Sequence, residues 1–245
     1  MLSDAQRERV SIVLVRARNP NNIGAVARAM HNFGFTDLRL VNDYFVSLEK
    51  ARSAIDASAI LATAREFSSV AEAVADCSLV VGTTAVGDRR REHSLLTLAD
   101  GAPQLQSALT TSRVALLFGS EKTGLSNDAM SHCHWLMTIP MHPSPEQRHA
   151  SMNLGQAAAI CMYELVRQNQ GEPLDQPQPM ALAGDLERIK TLLAELLTRI
   201  GYAHRRAASA DPIAVRRMVH RLNLNQSDAR RWIGVLRAVL WKVSE

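Results

Sequence analysis

An asparagine-rich turn precedes a helical segment near the start of the chain. Residues 19–24 read NPNNIG, and Arg28 follows four positions after Gly24, about one helical turn. Asparagine caps helices through its side-chain oxygen, and the free amides at a helix start favour an anion. Arg28 can therefore meet a phosphate or a developing negative charge at the mouth of this turn. A capped turn with a surface arginine is the plainer alternative.

A glycine-bounded loop follows the strongest predicted strand. Residues 118–125 read FGSEKTGL, and Gly119 and Gly124 let the backbone pass close to a ligand or another segment. The loop is not a phosphate loop, and the chain contains no Gly-x-Gly-x-x-Gly, so kinase-type and dehydrogenase-type cofactor sites are excluded. Glu121 is either a functional carboxylate or a residue that caps or pairs within the turn.

A proline-rich loop leads into a long helical segment rich in small residues. It contains Ile139 and Met141 and ends at Ser151 and Asn153. The last two are candidate binding residues at the helix start, and a helix cap is the alternative. Small residues that follow, such as Gly155, allow close packing of a neighbouring helix or subunit.

Two further clusters are weaker candidates for chemistry. His132, Cys133 and His134 are adjacent, but structural zinc needs four ligands in recognisable pairs, so we expect no metal. Residues 88–91 read DRRR and follow residues 82–84 at the end of a predicted strand. Exposed charge runs are usually solvated, but the position beside the presumed mouth favours phosphate contact. No Gly-x-Ser-x-Gly nucleophile motif occurs.

Short apolar runs alternate with helical stripes over the first two thirds of the chain. Continuous apolar runs of this length suit a parallel sheet covered on both faces. The alternation predicts an α/β fold with helices on both faces, in which ligands bind outside the carboxyl ends of the strands. The predicted strands are residues 11–15, 38–41, 79–81, 114–118 and 135–139, and the predicted helices are residues 23–33, 68–75 and 151–167.

The composition is that of an ordinary globular protein. Its 245 residues are 47% hydrophobic and 21% charged, which excludes collagen-like and wholly disordered chains. The three cysteines are too few and too scattered for a disulfide framework, which indicates a reducing compartment. No apolar run approaches the roughly 18 residues of a membrane helix, and the first residues lack the apolar centre of a secretory signal. We therefore expect a cytoplasmic protein.

The basic charge is concentrated at the C-terminal end. The net charge of the chain is +4, yet residues 180–245 alone carry 12 basic and 6 acidic side chains. A segment rich in proline and glutamine predicts a linker over residues 169–183, between a domain of residues 1–168 and a helical domain of residues 184–245. This asymmetry suggests a module that binds a polyanion, with nucleic acid as the first candidate, or a solvated helical surface.

The C-terminal part predicts a bundle of three amphipathic helices. Asp185, Asp211 and Ser227 are the predicted N-caps, and Gly201 is a natural stop for the first helix. The polar faces carry arginines, whose planar fork can bind two phosphate oxygens at once. These arginines are Arg205, Arg206, Arg216, Arg217, Arg221, Arg230, Arg231 and Arg237.

Three motifs occur in a fixed order along the chain, and together they are far more specific than any one of them. They are Asn22-x-Gly24-x-x-x-Arg28, Phe118-Gly119-x-Glu121-x-x-Gly124-Leu125 and Ser151-x-Asn153 before an alanine-rich helix. This combination resembles the SPOUT superfamily of RNA ribose methyltransferases, and within it the TrmH-like group. The resemblance covers about residues 10–168. The helical extension resembles that of the TrmJ branch, the tRNA 2′-O-methyltransferases that act at nucleotide 32 of the anticodon loop.

The resemblance implies a fold, a cofactor, partners and site residues. The sheet would end in a deep trefoil knot, a rare feature among folds. The chain would be a homodimer that binds S-adenosylmethionine and tRNA, with each site built across the interface. The matching cofactor-binding positions are Thr83, Thr84, Ala85, Leu117, Gly119, Ile139, Met141, Ser151 and Met152. The matching catalytic positions are Arg28, Ser151 and Asn153, and the matching RNA-binding positions are Asn22, Arg28, Arg89, Arg90, Arg91 and Glu121.

The implied reaction transfers the cofactor's methyl group to a ribose 2′-hydroxyl. Arg28 would hold the adjacent phosphate, while Ser151 and Asn153 would orient the acceptor. Three alternatives stay open: a TrmH-like methyltransferase of rRNA or of another tRNA position, a catalytically silent RNA-binding protein, and a generic nucleotide-binding α/β protein. In this branch we expect arginines two and four residues after the turn that matches Thr83-Thr84-Ala85, whereas those places here hold Val86 or Gly87 and Asp88 or Arg89. The basic run of this chain begins slightly later, and residues 89–91 are the candidates to take the place of those arginines.

Overall fold

The secondary structure follows from a computed structural model, in which residues 2–42, 44, 57–85, 93–142, 152–167, 179–202 and 211–244 are described. The strands are β1 (Val10–Val15), β2 (Asp37–Val41), β3 (Arg65–Phe67), β4 (Leu79–Thr83), β5 (Leu95–Thr97), β6 (Val114–Phe118) and β7 (Trp135–Thr138). The helices are α1 (Asp4–Arg7), α2 (Pro20–Phe33), α3 (Ser58–Ala62), α4 (Val70–Val74), α5 (Leu98–Ala108), α6 (Asn127–Ser131), α7 (Leu154–Val166), α8 (Ala183–Arg199), α9 (Pro212–Arg221) and α10 (Gln226–Lys242).

The strands form one parallel sheet, so the predicted α/β class is confirmed. Their order is β3-β2-β1-β6-β4-β7-β5, and every neighbouring pair is parallel. All five predicted strands are present. The sequence patterns missed β3 and β5, because each has only three residues and neither is buried.

Helices cover both faces of the sheet, and alternate residues of each strand supply two separate cores. In β1, Ile12 and Leu14 belong to a core shared with α2, α5 and α7. Val13 and Val15 belong to a second core shared with α4 and α6. Successive side chains of a strand point to opposite faces, so a strand buried on both sides is apolar at nearly every position, as β1 is at every position except Ser11.

The described residues 179–202 and 211–244 form a helical module that packs on the sheet domain, by which we mean the described residues up to 167. Helices α8, α9 and α10 share a small core of their own. The first amides of α8 reach into the sheet domain: Ala183 N donates to Cys77 O at 2.5 Å, and Gly184 N donates to Ala75 O at 3.0 Å. The start of the module is therefore fixed by carbonyl groups that precede β4.

Two of the predicted helix caps in this module are wrong. Asp185 lies in the first turn of α8, whose N-cap Leu182 makes no side-chain cap, because the sheet domain already accepts hydrogen bonds from the first amides. Ser227 lies inside α10, and Asn225 caps that helix by accepting from the Asp228 amide at 2.8 Å. The cap Asp211 is confirmed, as is the stop at Gly201, which has a φ of 71°.

Arg216 has a structural role rather than the solvent-facing one expected from the sequence. Its side chain is 12% exposed, and its guanidinium pairs with Asp128 at 3.0 Å and with Glu187 at 3.1 Å. It also donates to Ser131 Oγ at 2.7 Å. These contacts join α9 to α6 and α8, so Arg216 fastens the module to the sheet domain and is not open to a polyanion.

Three buried histidines lie where α9 packs against the sheet domain. The rings of His134 and His220 meet edge to face, with their centroids 4.7 Å apart. His134 Nδ1 accepts a hydrogen bond from the Val80 amide at 3.1 Å. Burial lowers the pKa of His132 and of His134 to about 4, and it holds the pKa of His220 well below its usual value. All three rings are therefore neutral in the native protein at neutral pH.

We expect acid to destabilise the protein through these histidines. Their pKa in the folded chain lies below the ordinary value of 6.5, so the unfolded chain takes up protons first as the pH falls. Their contribution to the free energy of unfolding is complete above pH 6.5 and is lost as the pH falls towards 4. The loss is on the order of 3 kcal/mol for each of His132 and His134.

Thermal unfolding over this pH range measures the effect. The variant His132→Leu should show a shallower loss of melting temperature with acid than the natural chain. The control His31→Leu, at an exposed position of α2, should keep the natural pH dependence. A melting temperature that does not change between neutral pH and about pH 4.5 would rule out this role.

Candidate active site

The carboxyl ends of four adjacent strands bring the predicted site loops together. Strands β1, β6, β4 and β7 are neighbours in the sheet and run in the same direction. The loops that follow them therefore leave the sheet at one edge. These loops contain the first motif, the glycine-bounded loop, the Thr83 turn and the start of the proline-rich loop.

A chain of side-chain hydrogen bonds joins all three motifs. Asn22 Nδ2 donates to Glu121 Oε1 at 2.9 Å, and Asn153 Nδ2 donates to Asn22 Oδ1 at 3.1 Å. The residues are 99 and 131 positions apart along the chain. The convergence expected from the resemblance is thus present in the structure, with Asn22 as the central member.

The caps of α2 and α7 leave the side-chain groups of Asn22 and Asn153 that bond to each other available. Asn19 caps α2 by accepting from the Asn21 amide at 3.0 Å, and Pro20 occupies the first helical position. Asn153 caps α7 with its Oδ1, which accepts from the Gly155 amide at 2.9 Å. Each cap uses only an oxygen, so the amino group of Asn153 remains available to Asn22.

The Glu121 carboxylate accepts hydrogen bonds from the first motif loop. This agrees with the second of the two interpretations made from the sequence, that Glu121 caps or pairs with turn residues. Besides the bond from Asn22, its carboxylate accepts from the amides of Arg18 and Asn19, both at 3.4 Å. Burial alone would raise the pKa of Glu121, but the hydrogen bonds from Asn22 and the backbone lower it below its usual value. The carboxylate is therefore ionised at neutral pH and holds the first loop against the second. Its predicted contact with RNA stays a prediction.

The glycine-bounded loop folds back tightly on itself. A Cβ at Gly119 would lie 2.0 Å from Gly124 C and 2.1 Å from Leu125 N. Gly124 has a φ of 68°, in the left-handed region, and its amide donates to Ser120 O at 2.8 Å. Only glycine fits at position 119, so this motif residue is required by a close approach of two backbone segments.

The Thr83 turn is tied to the strands on both sides. Thr83 Oγ1 donates to Leu117 O at 2.9 Å, and the Thr84 amide donates to Met137 O at 2.9 Å. The remaining predicted cofactor positions that are described lie at the same edge of the sheet. They are Ala85 after β4, Gly119 after β6, Ile139 and Met141 after β7, and Met152 before α7.

Comparisons with known proteins identify the family. Residues 9–163 match the model of the SpoU rRNA Methylase family. The tRNA (cytidine/uridine-2′-O-)-methyltransferase TrmJ of Yersinia enterocolitica is 31% identical over 96% of this chain and 91% of its own length. The chain belongs to the SpoU methylase family. TrmJ of Salmonella typhimurium is 31% identical over 97% of both chains. The crystal structure of TrmJ from Z. mobilis ZM4 matches with a TM-score of 0.77 and 32% identity, covering 94% of this chain and 98% of that chain.

Membership confirms the resemblance to TrmH-like SPOUT methyltransferases and to their TrmJ branch. The parallel sheet with helices is the fold of this family. The trefoil knot stays a prediction, because residues 143–151, which join β7 to α7, lie outside the described residues. Ser151, Arg89, Arg90 and Arg91 lie outside them as well.

Arg28 makes no hydrogen bond to the asparagine cluster, by which we mean the hydrogen-bonded side chains of Asn22, Glu121 and Asn153. It is exposed on α2, about 9 Å along the helix axis from Asn22 at roughly 1.5 Å per residue. Within the described residues it makes no hydrogen bond or ion pair. The exposed guanidinium is available to a group outside the single chain.

The small residues of α7 pack closely against α2, as their pattern indicated. A Cβ at Gly155 would lie 2.6 Å from Ala25 Cβ, so at this point only the Ala25 methyl group lies between the two helices. Further along α7, Ile160 is 37% exposed and Tyr163 is 54% exposed. The α2–α7 pair thus supports the third motif and presents apolar side chains to the surface.

The sequence patterns missed one buried polar atom at this edge of the sheet. Thr138, the last residue of β7, is 6% exposed, and its Oγ1 has no hydrogen-bond partner among the described residues. A buried hydroxyl without a partner is costly unless a ligand or water completes it. The only indication in the sequence is that Thr138 directly precedes Ile139, a predicted cofactor-binding residue. A threonine at the end of a strand is too common for this position alone to predict a site.

The histidine–cysteine cluster does not form a metal site within the described part of the chain. No group of three or more His, Cys, Asp or Glu residues there is arranged to hold a metal ion. His134 is hydrogen-bonded to Val80, and burial raises the pKa of the Cys133 thiol. Among the described helices, none is both long and apolar enough to cross a membrane.

Proposed function

We propose that this SpoU methylase is an S-adenosylmethionine-dependent tRNA ribose 2′-O-methyltransferase that acts on cytidine or uridine at nucleotide 32. The observation that carries the proposal is the hydrogen-bonded chain Asn153–Asn22–Glu121, which unites the three motifs at one edge of the sheet. The names of the TrmJ relatives, which describe tRNA cytidine/uridine 2′-O-methylation, support the choice of substrate.

The residues at the edge of the sheet fit S-adenosylmethionine. The turns after β4, β6 and β7 present backbone groups side by side, and Thr138 Oγ1 offers a buried hydroxyl that lacks a partner. In this proposal Thr83, Leu117, Gly119 and Ile139 hold the cofactor, together with the rest of the predicted set. When bound, the cofactor would supply a methyl group on a sulfonium sulfur, which would leave as the neutral thioether S-adenosylhomocysteine while the 2′-hydroxyl would lose its proton to water. The trefoil knot would bring these turns around it.

The protein contributes mainly by positioning the acceptor. Holding two reactants in near-attack geometry can contribute roughly 7–11 kcal/mol. Arg28 holds the phosphate next to the target ribose and lowers the cost of charge that develops on the 2′-oxygen. Its guanidinium stays protonated and so does not act as a free base. Asn153 and Ser151 orient the hydroxyl, and Asn22 and Glu121 hold Asn153 in place.

We propose a homodimer in which the α2–α7 face is the interface. The exposed side chains Ile160 and Tyr163 of α7 suit a packed helical contact between subunits. Arg28 lies on α2 beside this face and lacks a partner among the described residues of its own chain. A dimer across this face would place Arg28 near the asparagine cluster of the other subunit. The cytoplasmic location predicted from the sequence remains part of the proposal.

The helical module supplies further contacts to the RNA through exposed arginines. Arg230 and Arg231 are exposed at the start of α10, where Arg231 has a surface ion pair with Asp228 at 3.4 Å. Exposed ion pairs of this kind contribute little and leave the cation free to meet phosphate. Arg216 is excluded from this role, because its guanidinium is already paired with Asp128 of the sheet domain and with Glu187 of α8.

We expect the double variant Arg230→Ala/Arg231→Ala to bind tRNA more weakly and with less dependence on salt. Each lost phosphate contact reduces the slope of log K against log salt by about 0.7–0.9, so the slope should fall by roughly 1.4–1.8. Filter binding at several salt concentrations measures it. The control Arg167→Ala removes a half-exposed arginine of the sheet domain that pairs with Glu164. Equal slopes for the double variant and the natural protein would refute a role in RNA binding.

Calorimetric titration with S-adenosylmethionine separates an enzyme from a catalytically silent RNA-binding protein. We expect one cofactor site per chain. A protein that binds tRNA but takes up no cofactor would be the silent alternative.

A second candidate substrate is rRNA, which is favoured by the description of the matched family. Transfer of labelled methyl groups to purified tRNA, but not to rRNA, would exclude it. The reverse result would replace the proposed substrate and keep the reaction.

A further inference from the structure

A small polar pocket lies at the end of β2, the strand next to β1, which leads into the first motif loop. It has a volume of about 280 Å³ and opens at the carboxyl ends of β2 and β3. β2 pairs with β1 up to Val15 and Val41, and the Arg16 amide donates to Val41 O at 2.8 Å. The pocket is therefore about 5 Å, one strand spacing, from the point where the first motif loop begins. Its lining residues are Leu40, Asn42, Tyr44, Glu66, Phe67 and Ser68.

Arg18 connects this pocket to the candidate active site. Its backbone amide donates to Glu121 Oε2 at 3.4 Å, within the cluster that joins the motifs. Its guanidinium lies over the Tyr44 ring, 5.4 Å from the ring centroid. The same residue thus touches the cluster with its main chain and the pocket wall with its side chain.

The pocket presents hydrogen-bond acceptors and aromatic rings. Asn42 Oδ1 is buried and has no hydrogen-bond partner within the part of the chain that the structure describes. Glu66 adds a carboxylate, whereas Ser68 Oγ already donates to Glu72 at 2.8 Å. An unpaired buried acceptor favours a ligand that donates an N–H. Tyr44 and Phe67 supply aromatic rings, with the guanidinium of Arg18 over Tyr44 and those of Arg39 and Arg65 over Phe67.

We propose that this pocket holds an unpaired RNA base adjacent to the methylated nucleotide, with the exocyclic amino group of that base donating to Asn42 Oδ1. Sequence-specific RNA recognition commonly places unstacked bases against aromatic side chains and reads their hydrogen-bonding edges. The ligand class is adenine, cytosine or guanine, since uracil presents carbonyl oxygens where these bases carry an amino group. The inference rests on the proposed tRNA methyltransferase function and adds a determinant of substrate choice to it.

The test compares Asn42→Leu with Asn42→Asp and the natural protein. Asn42→Leu removes the acceptor, and Asn42→Asp keeps an acceptor at the same place. Methyl transfer is measured on anticodon stem-loops that differ only in the neighbouring base, either amino-bearing or uracil. The natural protein and Asn42→Asp should have a KM for the amino-bearing RNA about two- to tenfold lower than for the uracil RNA. Asn42→Leu should lose this difference, while kcat and the Kd for S-adenosylmethionine stay unchanged.

The possible results distinguish a failure of the proposed base recognition from a failure of the proposed methyltransferase function. If Asn42→Leu keeps the natural base preference, or if the natural protein has none, the pocket does not read a base. If the natural protein transfers no methyl group to any stem-loop or to tRNA, the proposed function fails instead. In that case binding of the same stem-loops, measured by fluorescence, still reports whether Asn42 sets a base preference. Melting temperatures of the variants show whether a loss reflects folding.

Discussion

The variant Arg28→Ala should lose methyl transfer while S-adenosylmethionine binding survives. A charge-assisted hydrogen bond is worth roughly 1.5–3 kcal/mol, or about 10- to 150-fold, and charge that develops on the 2′-oxygen enlarges the effect. Arg28 is exposed on α2, so its removal should not disturb folding. Single-turnover rates with tRNA and calorimetry with the cofactor measure the two properties. Arg28→Lys should be intermediate, because it keeps the charge but loses the planar fork.

The control for this prediction is Arg167→Ala at the far end of α7, which should leave the rate unchanged. Mixed dimers test whether Arg28 acts across the interface. When one subunit carries Arg28→Ala and the other Asn153→Ala, one site regains both groups and activity should return. Normal turnover by Arg28→Ala would remove this residue from the mechanism, and inactive mixed dimers would place it in the site of its own chain.

The variant Gly119→Ala should bind the cofactor much more weakly than the natural protein. Its Cβ would meet Gly124 C at 2.0 Å and Leu125 N at 2.1 Å, so the glycine-bounded loop must open. Overpacking typically costs about 1–3 kcal/mol, and here both colliding atoms belong to the backbone and have little freedom to move. We expect the affinity for S-adenosylmethionine to fall by roughly 100-fold or more and the melting temperature to drop by several degrees.

Gly234→Ala is the matched control for this glycine. Gly234 lies inside α10, and nothing is within 4 Å of a Cβ at this position. The change should stabilise the protein by about 0.5–1 kcal/mol and leave cofactor affinity unchanged. Natural affinity for the cofactor in Gly119→Ala would show that the loop is not part of the cofactor site.

The α/β class and the main strands follow directly from the sequence. β6 is apolar at every position and β1 at every position except Ser11, because both strands are buried on both faces, which is a strong local signal. The edge strands β3 and β5 carry no such signal, since their three residues are partly exposed. The cap at Asp185 failed for a related reason: the first amides of α8 bind carbonyl groups of the sheet domain, a contact that local sequence does not reveal.

The site was predictable as a set of motifs but not as a geometry. Helix capping explains Asn153 from local sequence, whereas its bond to Asn22 joins residues 131 positions apart. Glu121 was open to two interpretations until its contacts with the first loop were known. Arg216 had the same local character as the exposed arginines, and only its acidic partners on α6 and α8 separate it from them.

The location of the transferred methyl group tests the central claim most directly. Purified protein is incubated with labelled S-adenosylmethionine and tRNA that lacks ribose methylation, and the tRNA is then digested and analysed by mass spectrometry. We expect the label on the 2′-oxygen of nucleotide 32. Label on a base, or cofactor binding with no label on any tRNA ribose, would contradict the proposal that the joined loops present a methyl group to a ribose hydroxyl.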